Sequence, residues 1–473
     1  MALLSSYHIM IVSQYFNKIE DFVVLELVCK KCRFNLDKFH FNPIRLTDKT
    51  IRYFPNIETL HLWDIHDENF GNGFLVKSEF GFFNDINDDK DIVVKKTFYD
   101  VIMWFNVDYE TYLKNKNFNY KFKNVTYNKN DREQFGNTIP PIVSSISDIC
   151  FERCYDLCDI VIPPNVIRIG KCCFRYCQNL RSITISSSVV SIGNECFRDC
   201  AHLSEVVIPL SVTSINSSCF EQCSSLRNIV IPPSVVLISE FCFYECGGMN
   251  CIDIPSGVSS ISDNCFFMCS NLSNITIPYC VESIGKSCFS RCSSLNEMII
   301  PSSVTSIGEY CFSYCINLKH VDVSSSVTTI SNHCFDGCSN LINIKIGPSV
   351  RSYGDYSFRG CGNLSNITIH SKVSSIGYNC FCLCNSLSTI TIPSSVTSIG
   401  DDFIFYKTRF DFFLTWLFCR LYFINFCVTE NGLSAFVIIW YNLCKYYHVL
   451  NRTVNNYDNT LPVIKDNGIC FFK

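Results

Sequence analysis

Apolar residues recur along the middle of the chain with a period of 23 residues and without insertion. Each unit contains Cys-Phe-x-x-Cys, then Leu, then an apolar-x-apolar pair, and finally Val-x-x-Ile. The pair alternates at period 2, which predicts a short strand whose middle residue points outward. The Phe, the two Cys and the Leu follow helical or turn spacing, which predicts about one short helix per coil.

The apolar columns of this repeat have few exceptions. Phe occupies its position in all eleven units from Phe151 to Phe381, and Cys follows three residues later in every unit. Cys also precedes Phe in ten of the eleven units, with Ser357 as the exception. Because a 23-residue unit has too little apolar surface to fold alone, each unit must stack on the next. The pattern therefore predicts an α/β repeat solenoid over residues 137–400.

The repeat is close to a known consensus. Residues 299–312, with the sequence IIPSSVTSIGEYCF, closely resemble the repeat of the BspA-type leucine-rich repeat family, and the resemblance covers about residues 138–400. It implies a leucine-rich-repeat solenoid with short strands and short helical turns that binds other proteins. In that family Ala usually stands at the first Cys position. Bacterial members are surface adhesins, and protists such as Entamoeba and Trichomonas contain many members.

The amino-terminal region has a different pattern. Residues 5–16 and 20–34 are predicted to form two amphipathic helices. Their apolar faces are expected at Ile9, Val12, Phe16, Phe22, Leu25 and Cys29. A helical cap that shields the first coil is the favoured interpretation. An F-box-like module that recruits a ligase scaffold is the alternative.

A degenerate leucine-rich repeat follows these helices, with Ile57, Leu60 and Leu62 at its inward positions. This segment resembles the one attached to Entamoeba BspA-like proteins. Residues 1–65 are therefore expected to be a small, mostly helical amino-terminal cap. Residues 66–136 are expected to be a polar and aromatic connecting region.

Composition bears on the compartment and on the class of partner. The formal net charge is −4, which argues against nucleic-acid binding, because such a protein would carry a basic stripe. The first residues lack the basic start and the unbroken apolar stretch of a signal peptide. The 32 Cys residues are therefore interpreted as mostly reduced thiols of a protein made in the cytosol.

The two Cys columns favour an aligned ladder of buried thiols. A Cys-x-x-x-Cys pair could give a metal two ligands, but no His or Asp recurs in phase to complete a tetrahedral site. Disulfides between coils and a metal site are the less favoured alternatives. A metal or redox role for the Cys29-x-x-Cys32 motif is equally disfavoured, because the motif has no partner pair. The chain has neither nucleotide-binding motifs nor a catalytic Ser-His-Asp or Cys-His grouping. It is therefore predicted to be neither an enzyme nor a cofactor-binding protein.

The outward residues of the strand columns are the candidates for contact with a partner. Most of them are Thr, Ser, Asn or Val, whereas Glu297, His320, Asp322 and Lys345 place charge on three adjacent coils. We expect these four residues to bind a protein, with ordinary solvated surface as the alternative. The predicted function is a non-enzymatic protein-binding scaffold, in the form of a surface-associated adhesin or antigen. An intracellular adaptor with an F-box-like cap is the alternative.

The repeat stops after Gly400. Residues 401–473 are apolar and aromatic, most densely at 410–444, and are interpreted as a membrane segment, a hydrophobic cap or a frame-shifted tail. Cys470 is the fourth residue from the end, as in a prenylation motif, although Lys473 departs from the preferred last residues. The protein is therefore expected to be cytoplasmic, with 410–444 or Cys470 as candidates for association with the plasma membrane.

Overall fold

The computed structural model of the chain describes residues 5–77, 83–85, 96–401, 403 and 464–465. The chain divides into two compact units. The first comprises Met1–Glu152, Ile160–Cys173 and Ile185–Ser191. The second comprises Arg153–Asp159, Phe174–Thr184 and Ile192–Lys473.

The first unit starts with two helices, α1 Ser6–Ser13 and α2 Ile19–Val28. The Ser5 hydroxyl caps α1 by accepting a hydrogen bond from the amide of His8. The prediction of a second helix reaching residue 34 was wrong, because Cys29 has an extended backbone and a turn follows it. Two 3₁₀ turns come next, at Leu36–Lys38 and Ile51–Tyr53.

The apolar faces predicted for these helices are only partly covered. Phe22 is fully buried and packs edge-on against the rings of Phe16, Phe39 and Phe54. Val12 and Cys29 are instead exposed to solvent. Phe22 is therefore the residue that fixes α2 on the rest of the first unit.

The first unit also contains a parallel sheet, an antiparallel pair of strands and two more helices. Its further elements are β1 Thr59–Leu62, β2 Leu75–Lys77, β3 Phe83–Asp85, β4 Asp100–Asp108, α3 Tyr109–Asn115, β5 Tyr120–Tyr127, α4 Lys129–Phe135, β6 Ser145–Ile146 and β8 Arg168–Ile169. Strand β1 pairs with β4, β4 with β5, β5 with β6, and β6 with β8, all in parallel, whereas β2 and β3 form the antiparallel pair. Ile57, Leu60 and Leu62 are buried as predicted.

The segment that was predicted to be a connecting region contains regular structure. Strands β4 and β5 lie there, and so do the helices α3 and α4 that follow them. Val101 and Met103 are fully buried on alternate residues of β4, so a period-2 signal was present. It was missed because these two strands are longer than those of the 23-residue unit.

Each coil of the second unit contributes a strand of three residues, a strand of two residues, or both. The three-residue strands are β9 Ser182–Thr184, β11 Glu205–Val207, β13 Asn228–Val230, β15 Cys251–Asp253, β17 Asn274–Thr276, β19 Glu297–Ile299, β21 His320–Asp322 and β23 Asn343–Lys345. The two-residue strands are β12 Ser214–Ile215, β14 Leu237–Ile238, β16 Ser260–Ile261, β18 Ser283–Ile284, β20 Ser306–Ile307, β22 Thr329–Ile330, β24 Ser352–Tyr353, β25 Ser375–Ile376, β26 Thr391–Ile392, β27 Ser398–Ile399 and β28 Ile464–Lys465. Strands β7 Asp159–Val161 and β10 Ser191–Ile192 include residues of both units.

The Phe and Cys segments of the coils form turns and not regular helices. In each coil the residue before the first Cys position and the second residue after Phe have left-handed backbone torsions, such as Asn264 at φ 54° and Met268 at φ 55°. A right-handed helix cannot continue through such residues. The leucine-rich-repeat solenoid is confirmed, and the choice between helix and turn spacing is resolved in favour of turns.

Ten consecutive Phe side chains form the centre of the second unit. From Phe174 to Phe381 each ring stacks on the next, with centroids 5.3–5.7 Å apart and planes within 11° of parallel. All ten are fully buried. The prediction of one shared interior is therefore confirmed.

The second Cys of each coil ties that coil to an earlier one. From Cys200 to Cys384, each thiol donates a hydrogen bond of 3.0–3.2 Å to the carbonyl oxygen of the Phe 26 residues before it. The same carbonyl oxygen also accepts a hydrogen bond from the amide of the Cys three residues after that Phe. The thiol is therefore a second donor to this oxygen, and it links neighbouring coils at little cost in volume.

Candidate functional site

Strands β19, β21 and β23 lie side by side in parallel and in register. Because successive residues of a strand point to opposite faces, each strand buries its middle residue and presents its two outer residues. Met298, Val321 and Ile344 are accordingly buried. The outer residues form two rows across three coils.

The two rows bring the predicted charged residues together. Glu297 lies opposite His320 in the first row, and Asp322 lies opposite Lys345 in the second. The ammonium group of Lys345 is 3.0 Å from a carboxylate oxygen of Asp322, with side chains that are 80% and 45% exposed. Such an exposed ion pair contributes at most about 1 kcal/mol to stability, so the fold does not depend on it.

These residues line a shallow depression of about 280 Å³ on the strand face. All four predicted residues contribute to it, together with Asn343 and Ile299. The side chain of Ile299 is 70% exposed, which places an apolar group among carboxylates, an amide and an ammonium group. An exposed apolar side chain among polar groups is a feature of surfaces that bind other proteins.

Sequence reasoning missed the role of Ile299. It occupies the same outward column as Asp322 and Lys345. The signal was available, because an Ile at an outward strand position has no place in the core.

A second polar cluster lies on the turn segments. The buried carboxylate of Asp336 accepts hydrogen bonds of 2.8 and 2.7 Å from Arg359, and His333 Nδ1 lies 3.0 Å from it. The His333 ring stacks between Tyr310 and Tyr356, with centroids 4.4 and 4.6 Å away. His333 therefore interacts with Asp336 and two aromatic rings, and this cluster joins three coils.

Burial keeps the ladder thiols protonated. It raises the pKa of Cys219, Cys269 and Cys380 to about 12, far above the ordinary value of a thiol. These thiols are poor nucleophiles and poor metal ligands at neutral pH, because both roles need the thiolate.

Metal and membrane sites were also sought in the described residues. In that part of the chain no group of three or more His, Cys, Asp or Glu side chains could hold a metal ion. None of the helices in the same residues is long and apolar enough to cross a membrane. Cys470 and the segment 410–444 lie outside the described residues.

The sequence and the fold were compared with known proteins. The family model described as a BspA type leucine rich repeat region matches residues 144–271, 190–319 and 305–414, which together cover more than half of the chain. No curated protein matches the chain.

Two solved structures of bacterial proteins are similar to this chain. A leucine-rich repeat protein from Bacteroides ovatus is 26% identical, with a TM-score of 0.49 over 73% of this chain and 84% of that one. A leucine rich cell surface protein from Faecalibacterium prausnitzii is 24% identical, with a TM-score of 0.40 over 76% of this chain and 90% of that one.

Proposed function

Because the chain belongs to the BspA-type leucine-rich repeat family, we propose that it is a non-enzymatic scaffold that binds another protein on its strand face. Leucine-rich repeat proteins generally serve as scaffolds for protein interaction. The contact surface we propose consists of Glu297, His320, Asp322 and Lys345, with Ile299 among them. The observation that carries the proposal is that all five side chains line one depression.

The fold does not need the charges of these outer residues. The backbone pairing and the buried middle residues hold the three strands together. The outer residues could all be Thr or Asn without loss of stacking, since β17 carries Asn274 and Thr276 there and pairs in the same parallel register. Their charges and the exposed Ile299 are therefore available to a partner.

A comparison of two variants tests this surface. The first variant replaces Glu297, His320, Asp322 and Lys345 with Ala. The matched control also carries four substitutions to Ala, at outer strand positions of other coils: Ser182, Thr184, Asn274 and Thr276. A partner captured by the wild-type chain and by the control should bind the first variant roughly tenfold more weakly or not at all. Equal capture by both variants would refute the proposed surface.

We further propose that the protein acts as a surface-associated adhesin or antigen, made in the cytoplasm and associated with the plasma membrane. Residues 1–65 would then correspond to the amino-terminal segment of Entamoeba BspA-like proteins. The alternative is an intracellular adaptor with an F-box-like cap. Labelling of intact cells with a membrane-impermeant reagent separates the two. Labelling that requires permeabilised cells would contradict the adhesin.

A further inference from the structure

Cys29 and Cys32 lie at the two ends of a tight turn that follows α2. The amide of Cys32 donates a hydrogen bond of 3.0 Å to the carbonyl oxygen of Cys29, which closes the turn. The two Sγ atoms are 3.4 Å apart and share a hydrogen bond. A disulfide needs a separation of about 2.05 Å, so only a small movement joins them.

The two thiols differ in access to solvent. Cys29 is exposed, whereas Cys32 is only 4% exposed. The hydrogen bond from Cys32, amide donors in the turn and the charge of Lys31 lower the pKa of Cys29. Burial raises the pKa of Cys32. An exposed thiol that ionises first beside a buried one is the arrangement of an attacking and a resolving thiol.

An unpaired cation accompanies the buried thiol. The ammonium nitrogen of Lys38 is buried and has no hydrogen-bond partner among the described residues. Its positive charge acts on Cys32 and partly opposes the effect of burial on the pKa of that thiol. A buried ammonium without a partner is costly, and a thiolate at Cys32 would relieve that cost.

We propose that Cys29 and Cys32 form a thiol–disulfide exchange site that accepts an anionic organic disulfide. Lys30, Lys31 and Arg33 are exposed around Cys29 and supply the attraction for the anion. A metal site is not favoured, because two thiols are half of a tetrahedral ligand set and no third ligand lies with them in the described residues.

The exchange proceeds in two steps. The Cys29 thiolate attacks one sulfur of the disulfide, forms a mixed disulfide and releases the other half as a thiolate. Cys32 then loses its proton, attacks the Cys29 sulfur and releases the second half. The protein dithiol is oxidised by two electrons, the organic disulfide is reduced to two thiols, and the two protons of the dithiol end on those thiols.

Trypsin provides a direct readout, because it cleaves after Lys18, Lys30, Lys31 and Arg33. The full chain is treated with oxidised glutathione and digested without reductant. The expected product is the peptide 19–30 joined by a disulfide to the dipeptide 32–33. Cys29 should also react with iodoacetamide roughly tenfold faster than the exposed Cys251.

Three variants define the roles of the residues, with folding of each checked by circular dichroism. C32S should stop at the mixed disulfide on Cys29, and C29S should give neither product. K38M retains Cys32 but lacks the charge that favours its thiolate, so the second step should slow and the mixed disulfide on Cys29 should accumulate. The matched control C251S should behave as the wild-type chain.

Two outcomes would overturn the proposal. The first is a wild-type chain that never forms the linked peptide pair. The second is that Cys29 reacts with cystamine, a cationic disulfide, as fast as or faster than with oxidised glutathione. The site would then have no selectivity for an anionic disulfide. Both readouts concern the first unit and do not depend on the proposed strand-face surface.

Discussion

The buried thiol ladder should make the solenoid unfold in mild alkali. A thiol whose pKa is raised in the folded state holds its proton there, while the same thiol in the unfolded chain releases it above about pH 8.5. The unfolded state then binds fewer protons than the folded one, so the free energy of unfolding falls as pH rises. The window runs from the unfolded pKa up to the folded value of about 12 for Cys219, Cys269 and Cys380.

The size of this effect follows from the number of thiols. Each loses about 1.4 kcal/mol of stability per pH unit inside the window, or about 2 kcal/mol at pH 10. The three thiols named above together lose about 6 kcal/mol, which is comparable with a typical folding free energy of 5–15 kcal/mol. Other ladder thiols, such as Cys246 and Cys334, have pKa values raised well above the ordinary value and add to the loss. Cooperative unfolding is therefore expected below pH 10.

Circular dichroism during a pH titration with reductant present measures the midpoint, and return to neutral pH tests reversibility. The double variant C219A/C380A removes two of the thiols and should raise the midpoint. The control C158A/C251A removes two exposed thiols and should leave it unchanged. Retention of the folded signal well above pH 11 would show that the thiols ionise inside the folded chain. That result would contradict a ladder of thiols that are buried away from water.

Three substitution pairs test the packing by urea denaturation. F266A removes a buried ring that stacks at 5.5 Å on both Phe243 and Phe289, and it should lower the free energy of unfolding by about 3–5 kcal/mol. F267A removes a half-buried ring that stacks on Tyr244, and it should lower this free energy by about 1 kcal/mol. Equal losses would contradict a shared Phe interior. G308A places a Cβ 2.5 Å from the carbonyl carbon of Gly285 and should lower the free energy of unfolding by about 3 kcal/mol. G362A should leave it nearly unchanged, because the atom nearest to the added Cβ is 3.8 Å away. An unchanged stability of G308A would disprove the close approach of the coils. D336N leaves Arg359 and His333 without a carboxylate and should lower the free energy of unfolding by about 2 kcal/mol. D322N, in an exposed ion pair, should lower it by less than about 1 kcal/mol. A smaller loss for D336N than for D322N would refute a stabilising role of the Asp336 cluster.

The core of the coils could be predicted from the sequence because stacking imposes the same requirement on every unit. The Phe, Cys and Leu columns point inward in all coils, and the buried residues are those the period identified. The turns could not be distinguished from short helices. Their left-handed positions hold residues as different as Asn264 and Met268, and Gly stands there in only two coils, at Gly337 and Gly360, so Gly does not mark them.

The site was predictable only in part. The four charged residues stood out in columns that are mostly Thr, Ser, Asn and Val, and all of them line one depression. The depth of that surface and the exposure of Ile299 depend on how neighbouring strands pair, which a single column does not reveal. The relation between Cys29 and Cys32 needed the turn geometry, since the motif alone did not show which thiol was buried.

Departures from the repeat have different consequences on the two faces of the strands. Inward departures are held by contacts inside the stack. The Ser357 hydroxyl lies 3.2 Å from the Cys380 thiol, and the Tyr353 ring packs edge-on against Phe358, while the buried Tyr353 hydroxyl has no hydrogen-bond partner among the described residues. Outward departures such as Glu297 and His320 have no such packing role, since both side chains are exposed and the strands pair through backbone atoms. Stacking therefore explains the inward exceptions and leaves the outward ones unexplained, which is why the outward ones are the residues to test for binding.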